Sequence, residues 1–119
     1  MENKEFAKGL ELRTKWFAIS ILSLSGKLPN TVEGKVVRNQ ISKSGTSVGA
    51  NYREANRGRS KADFASRIKI AESEASETVF WLEIIHELKW TEEPKLQGLL
   101  KESNELLAIF TSISKTLKS

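Results

Sequence analysis

Phe6, Leu10, Phe17, Ile21, Leu24 and Leu28 recur at steps of three, four or seven residues. That spacing sets side chains on one face of an α-helix and predicts a helix over residues 4–25. Gly26, Pro29 and Asn30 interrupt it. Asn30 or Thr31 can cap a second helix, with Glu33 in the first turn, where the helix dipole favours an acid. This second helix is expected over 31–56. Gly58 is expected to end it in the left-handed conformation, and Ser60 to open the next by accepting backbone N–H bonds, with Asp63 three residues on. The third helix, over 60–90, carries Phe64, Ile68, Ala71, Ala75, Thr78, Leu82 and Ile85 at alternating steps of four and three. Such a seam keeps facing one partner. Thr91-Glu92-Glu93-Pro94 reads as a helix start, because proline in the first turn sacrifices no hydrogen bond. The fourth helix, over 92–117, presents Leu96, Leu99, Leu100, Leu106, Leu107, Phe110, Ile113 and Leu117. Short links between four helices imply antiparallel neighbours, so the expected fold is all-α: an up-down-up-down four-helix bundle forming a single domain over 1–119.

Two features suggest further contacts. Trp81, Ile84 and Leu88 form a second apolar stripe on the third helix, turned away from Leu82 and Ile85. Either the fourth helix buries it, or it is an oligomer interface. Gly45 and Gly49 lie one turn apart within the second helix, where each costs about 1 kcal/mol relative to alanine. They permit close approach of another helix, or make room for an aromatic such as Trp16 or Phe17.

The composition, 39% hydrophobic and 29% charged over 119 residues, is that of a globular chain with one core. With no cysteine there is no disulfide framework or thiolate metal site, and a cytoplasmic location is expected. The stretch from Trp16 to Gly26 follows Arg13 and Lys15 and faintly imitates the apolar core and cleavage region of a secretory signal, but Glu2, Glu5 and Glu11 interrupt the segment before it. It is also too short to span a membrane, so no membrane role is expected.

Charge distribution changes the picture more than the net +4 does. Residues 35–69 hold nine basic side chains against two acids, a net +7; residues 70–110 hold three lysines against nine glutamates, a net −6. The bundle should therefore be electrically polar. Arg53, Arg57, Arg59 and Lys61 surround the expected corner between helices two and three, with Arg38 and Lys43 further back. These six are the candidate nucleic-acid-binding residues, because arginine makes forked contacts with phosphate oxygens and neutralising phosphates releases counterions. N–H groups opening the third helix would add to the same field. The other reading pairs these cations with glutamates of a neighbouring subunit. Tyr52 and Phe64 read as core, leaving little for base stacking.

Catalytic signals are weak. Glu83-Ile84-Ile85-His86 matches one Glu-x-x-His unit of carboxylate-bridged metal bundles, but those sites need two such units, and His86 is the only histidine. Ser42, Ser44 and Ser47 sit on a helix without an activating base, and no phosphate-cradling loop is present. No enzymatic activity, metal or cofactor is expected.

Arg13–Ala18, Lys43–Ala55, Arg59–Phe64 and Glu77–Glu83, taken together, resemble the bacterial four-helix-bundle family of 23S rRNA intervening-sequence proteins. The likeness covers the first three helices and fades in the fourth. It implies a closed bundle assembling as a ring-shaped homopentamer, similar to the accessory variability protein of diversity-generating retroelements, which works with a reverse transcriptase and nucleic acid. It brings no catalytic motif. Its matched positions with functional meaning are Arg53, Arg59 and Lys61, while Asn56, Gly58, Ser73 and Ser76 depart from the pattern. The expectation is a non-enzymatic homo-oligomer that binds RNA, DNA or a nucleic-acid enzyme; the alternative is an assembly scaffold recognising a protein partner.

Overall fold

The computed structural model describes residues 3–118. Glu2, cited above as interrupting the N-terminal segment, lies outside them. Among the described residues there are four helices and no strand: α1 (Lys4–Ser25), α2 (Val32–Asn56), α3 (Lys61–Glu87) and α4 (Glu93–Lys118). They follow one another antiparallel in a bundle 44 Å long, and each consecutive pair packs closely. The diagonal pairs do not approach, and α1 meets α4 over a much smaller area than the other neighbours share.

The apolar spacing explains the core. Every residue of the α3 seam, from Phe64 to Ile85, is buried. Opposite it lie Phe17, Ile21 and Leu24 of α1, Ile41, Val48 and Tyr52 of α2, and Leu96, Leu106 and Phe110 of α4. Each large side chain so buried contributes about 1.5–3 kcal/mol. Tyr52 and Phe110 cross the centre edge to face, with ring centroids 5.5 Å apart. The prediction was too generous at the margins: Phe6 remains exposed, and Leu100, Leu107, Ile113 and Leu117 are only half-buried against the core.

The glycines of α2 seat α1. A Cβ on Gly45 would stand 2.6 Å from Cγ2 of Ile21, and one on Gly49 would stand 2.9 Å from Oγ1 of Thr14. The close approach is therefore within the chain, and the groups it accommodates are Ile21 and Thr14, not an aromatic; Trp16 is exposed.

Helix ends follow local chemistry. Asn3, Thr31 and Ser60 cap α1, α2 and α3 through side-chain oxygens that accept N–H bonds from Phe6, Gly34 and Asp63. Gly58 differs from expectation, since no described glycine has a positive φ. Instead α2 tightens into its last turn, with Arg57 and Gly58 N–H bonded to the carbonyls of Glu54 and Ala55. Space there is tight: a Cβ would lie 3.1 Å from the Ala55 carbonyl oxygen and 3.2 Å from Asp63 Cβ, so neighbours would have to give by a few tenths of an ångström.

The third helix ends at Glu87, short of the expected 90. Lys89 adopts φ 57°, its N–H bonds to the His86 carbonyl, and the Trp90 N–H bonds to the Ile85 carbonyl. This is a Schellman stop with lysine where glycine is the usual occupant, so nothing in the sequence marked it. Lys89→Gly should therefore stabilise the fold by about 1 kcal/mol, raising the thermal midpoint by roughly 4 °C in calorimetry.

No helix among the described residues is long and apolar enough to cross a membrane.

Candidate nucleic-acid interface

The turn from α2 to α3 exposes Arg53, Arg57, Arg59 and Lys61 within nine residues of chain. The corner forms because the last turn of α2 closes on itself and Ser60 immediately opens α3, which leaves these side chains pointing away from the core. Shallow hollows flank it. One, of about 520 Å³, is lined in part by Arg57, Arg59, Ser66 and Arg67; the other, of about 380 Å³, by Arg59, Ser60 and Lys61.

The cations are not equally free. Arg53 Nε lies 3.7 Å from Glu11 Oε1, and Glu11 also accepts a 2.9 Å hydrogen bond from Asn56 Nδ2. Arg67 donates to Asn51 Oδ1 at 3.1 Å, which draws a fifth cation along the same edge. The N-terminus of α3 adds less than expected. Ser60 Oγ takes the Asp63 N–H, and the Asp63 carboxylate, accepting the Arg59 N–H, already places a negative charge in the first turn. Attraction for anions at this corner thus rests on side chains. Tyr52 and Phe64 are buried, so the α2–α3 corner has no aromatic stacking platform of its own and would grip backbone phosphates.

Two of the six predicted residues lie elsewhere. Arg38 precedes Arg53 by fifteen positions, about 22 Å along the helix. Its guanidinium donates to the carbonyls of Ser25 and Leu28, closing the C-terminal end of α1. Lys43 lies midway along α2 and faces Glu74 of α3, whose carboxyl is pushed up mainly by burial and then by Glu77, with Lys43 opposing both. The corner therefore holds four of the six.

Antiparallel packing also adds cations that a search along contiguous sequence could not find. Lys4 and Lys8 at the start of α1, and Lys115 and Lys118 at the close of α4, lie at the same end of the bundle as the corner. The acids follow α3 away from it. Glu72 accepts hydrogen bonds from Thr111 and Ser114 and so ties α3 to α4, while Glu77, Glu83 and Glu87 are exposed. Across the thin α1–α4 seam, Arg13 forks onto Glu102 with two 2.7 Å contacts and reaches Glu105 at 2.6 Å. These hydrogen bonds push its pKa further up and so hold its charge.

Of the predicted interface residues, Trp81 and Ile84 lean half-buried on the core, while Leu88 is exposed. Trp81 Nε1 bonds to Glu77 Oε2 at 3.1 Å. A larger bare apolar surface, missed in the sequence reading, runs along α1 through Leu12, Trp16, Ile19 and Leu22. Their spacing is legible in the sequence, but the sequence reading did not single out this face. His86 Nδ1 lies 2.9 Å from Glu93 Oε1 across the α3–α4 link, and Glu83 is exposed, so this pair does not converge on the bundle interior.

The architecture has a solved counterpart. The crystal structure of a protein of unknown function of the S23 ribosomal protein family, from Bacteroides thetaiotaomicron, superimposes with a TM-score of 0.81 and 35% sequence identity, covering 88% of this chain and 97% of that one. No curated protein matches the sequence closely enough to count as a relative. The family model for 23S rRNA-intervening sequence proteins matches residues 12–112, which spans the core of all four helices and the whole cationic corner. The chain belongs to the 23S rRNA-intervening sequence protein family.

Proposed function

We propose that the protein is a non-enzymatic bundle that assembles as a homopentameric ring and binds RNA or DNA, alone or held by a nucleic-acid enzyme, through the phosphates. The observation that carries this reading is the cluster of four exposed cations at the α2–α3 corner, with Arg67 beside it and lysines of α1 and α4 at the same end. Phosphate contacts position a protein on nucleic acid without reading its sequence, and buried Tyr52 and Phe64 leave the α2–α3 corner itself without an aromatic ring to stack on bases.

Fluorescence anisotropy with unrelated RNA and DNA oligonucleotides at graded salt tests it. Affinities should be similar across sequences, and the logarithm of the binding constant should fall with the logarithm of salt at a slope of about −3 for four cations. Flat salt dependence, or no binding at low salt, would contradict the reading. The bare apolar face of α1 favours a second reading, a scaffold for a protein partner with no nucleic-acid role; in that case the oligonucleotides would not bind, and changing the corner arginines would alter the oligomer mass.

A further inference from the structure

We propose that the ring of Phe6, in the first turns of α1, stacks on an unpaired base of a single strand of RNA or DNA whose phosphates lie on the cationic tip. This rests on the phosphate-contact reading above and narrows its substrate to strands whose bases are free. A single apolar side chain on a protein surface is ordinary. Height, surroundings and a neighbouring glycine distinguish this one.

By spacing, Phe6 belongs to the core face, four residues before buried Leu10, yet it is 45% exposed. Glu11, five residues on, bonds Asn56 in the last turn of α2 and lies 3.7 Å from Arg53. Phe6 therefore stands about 7.5 Å nearer the tip, level with the corner that follows α2. Its N–H donates to Asn3 Oδ1 at 2.7 Å, so a capped helical turn presents the ring. A ring held in that way loses little freedom when a base settles on it.

The surroundings are cationic. Lys4 and Lys8 are exposed, against one acid, Glu5, within residues 3–10. Lys118 closes α4 at the same end, and Arg57, Arg59 and Lys61 stand on the corner. The ring is also isolated. The next exposed large hydrophobic side chain on α1 is Leu12, six residues on and turned by about 120° round the helix. Docking of a protein partner calls for a contiguous apolar patch. One ring among cations instead suits a nucleobase, because every base offers a π-face and is tethered to a phosphate.

Gly9 leaves room for it. A Cβ at this position would meet nothing within 4 Å, so packing within the chain does not require glycine, although glycine is a poorer helix former than alanine. Side chains on a helix lean toward its N-terminus, so one at position 9 would lie over the turn that carries Phe6. Glycine keeps that flank of the ring open to a flat partner.

The test compares a short unstructured oligothymidylate with an abasic strand of the same length, by fluorescence anisotropy at low and graded salt, on the full chain. The two strands carry the same phosphates and differ only in their bases. The native protein should hold the oligothymidylate about tenfold more tightly than the abasic strand. Phe6→Ser and Phe6→Leu should each bring the oligothymidylate down to the abasic level, and Phe6→Trp should keep the preference. Binding of the abasic strand, the salt slope and the circular dichroism melt should be the same in all of them, since the ring lies outside the buried core. A preference that survives Phe6→Ser, a loss shared equally by both strands, or Phe6→Leu binding as tightly as the native protein overturns the stack. Salt-sensitive binding of the abasic strand with no effect of Phe6 removes the stack and leaves the corner standing. No binding of either strand at low salt removes the corner, and the stack with it.

Discussion

Replacing Arg53, Arg57 and Arg59 together by glutamine should weaken binding of RNA and DNA by roughly a hundredfold at low salt. Each exposed arginine–phosphate contact is worth about 1 kcal/mol net, three give about 3 kcal/mol, and 1.4 kcal/mol is tenfold. The salt slope should relax in parallel, from about −3 to about −1, because each lost contact removes close to one released counterion. All three side chains are exposed, and glutamine is as good a helix former as arginine, so the thermal midpoint should hardly move. The same experiment separates phosphate contact from subunit contact. Lost affinity with unchanged sedimentation assigns the arginines to nucleic acid; changed sedimentation with retained affinity assigns them to the neighbouring subunit. Arg38→Gln is the internal control. Its guanidinium is bonded to the Ser25 and Leu28 carbonyls at the far end, so its loss should cost stability and leave the salt slope alone.

Gly34→Ala should be the most damaging single-methyl change in the chain. Gly34 is buried in the first turn of α2, beneath the link from α1, and a Cβ there would lie 1.9 Å from the Pro29 carbonyl oxygen and 2.9 Å from its carbonyl carbon. The obstruction is backbone, so no side-chain rotation relieves it. The link must shift, carrying Leu28, 4% exposed, and the Arg38 bonds with it. A loss of at least about 3 kcal/mol is expected, which lowers the thermal midpoint by roughly 10 °C. Gly98→Ala is the contrast. Nothing lies within 4 Å of its added Cβ, so the gain in helix propensity should stabilise the fold by up to about 1 kcal/mol. Similar effects from the two changes would mean that the α1–α2 link is not packed as described.

The contrast between these glycines marks how far the sequence could be read. The α3 seam was legible because it depends only on helical period, and every one of its residues is buried. Caps at Thr31 and Ser60 were legible because a hydroxyl just before a helical run has one local use. The stop at Lys89 was hidden, since its positive φ is imposed on a residue that does not advertise it. So was the role of Gly45, where the partner is Ile21, twenty-four residues away.

The candidate site divides in the same way. Arg53, Arg57, Arg59 and Lys61 are neighbours in sequence and in space, so their cluster could be read directly. Lys4, Lys8, Lys115 and Lys118 join that end only through the up-down path of the chain, and Arg38 leaves it because the same path carries it to the other end. Net charge over a segment cannot distinguish a cation that faces solvent from one that caps a carbonyl.

The central claim is that cations gathered at one tip of a helical rod contact phosphate. Amide hydrogen exchange, read by mass spectrometry with and without an arbitrary oligonucleotide at low salt, tests it most directly. Protection should appear over residues 53–67 and the first turns of α1, and be absent from Glu83 to Glu93. Protection centred on that acidic end, or spread evenly along α2 through Arg38, would contradict the account.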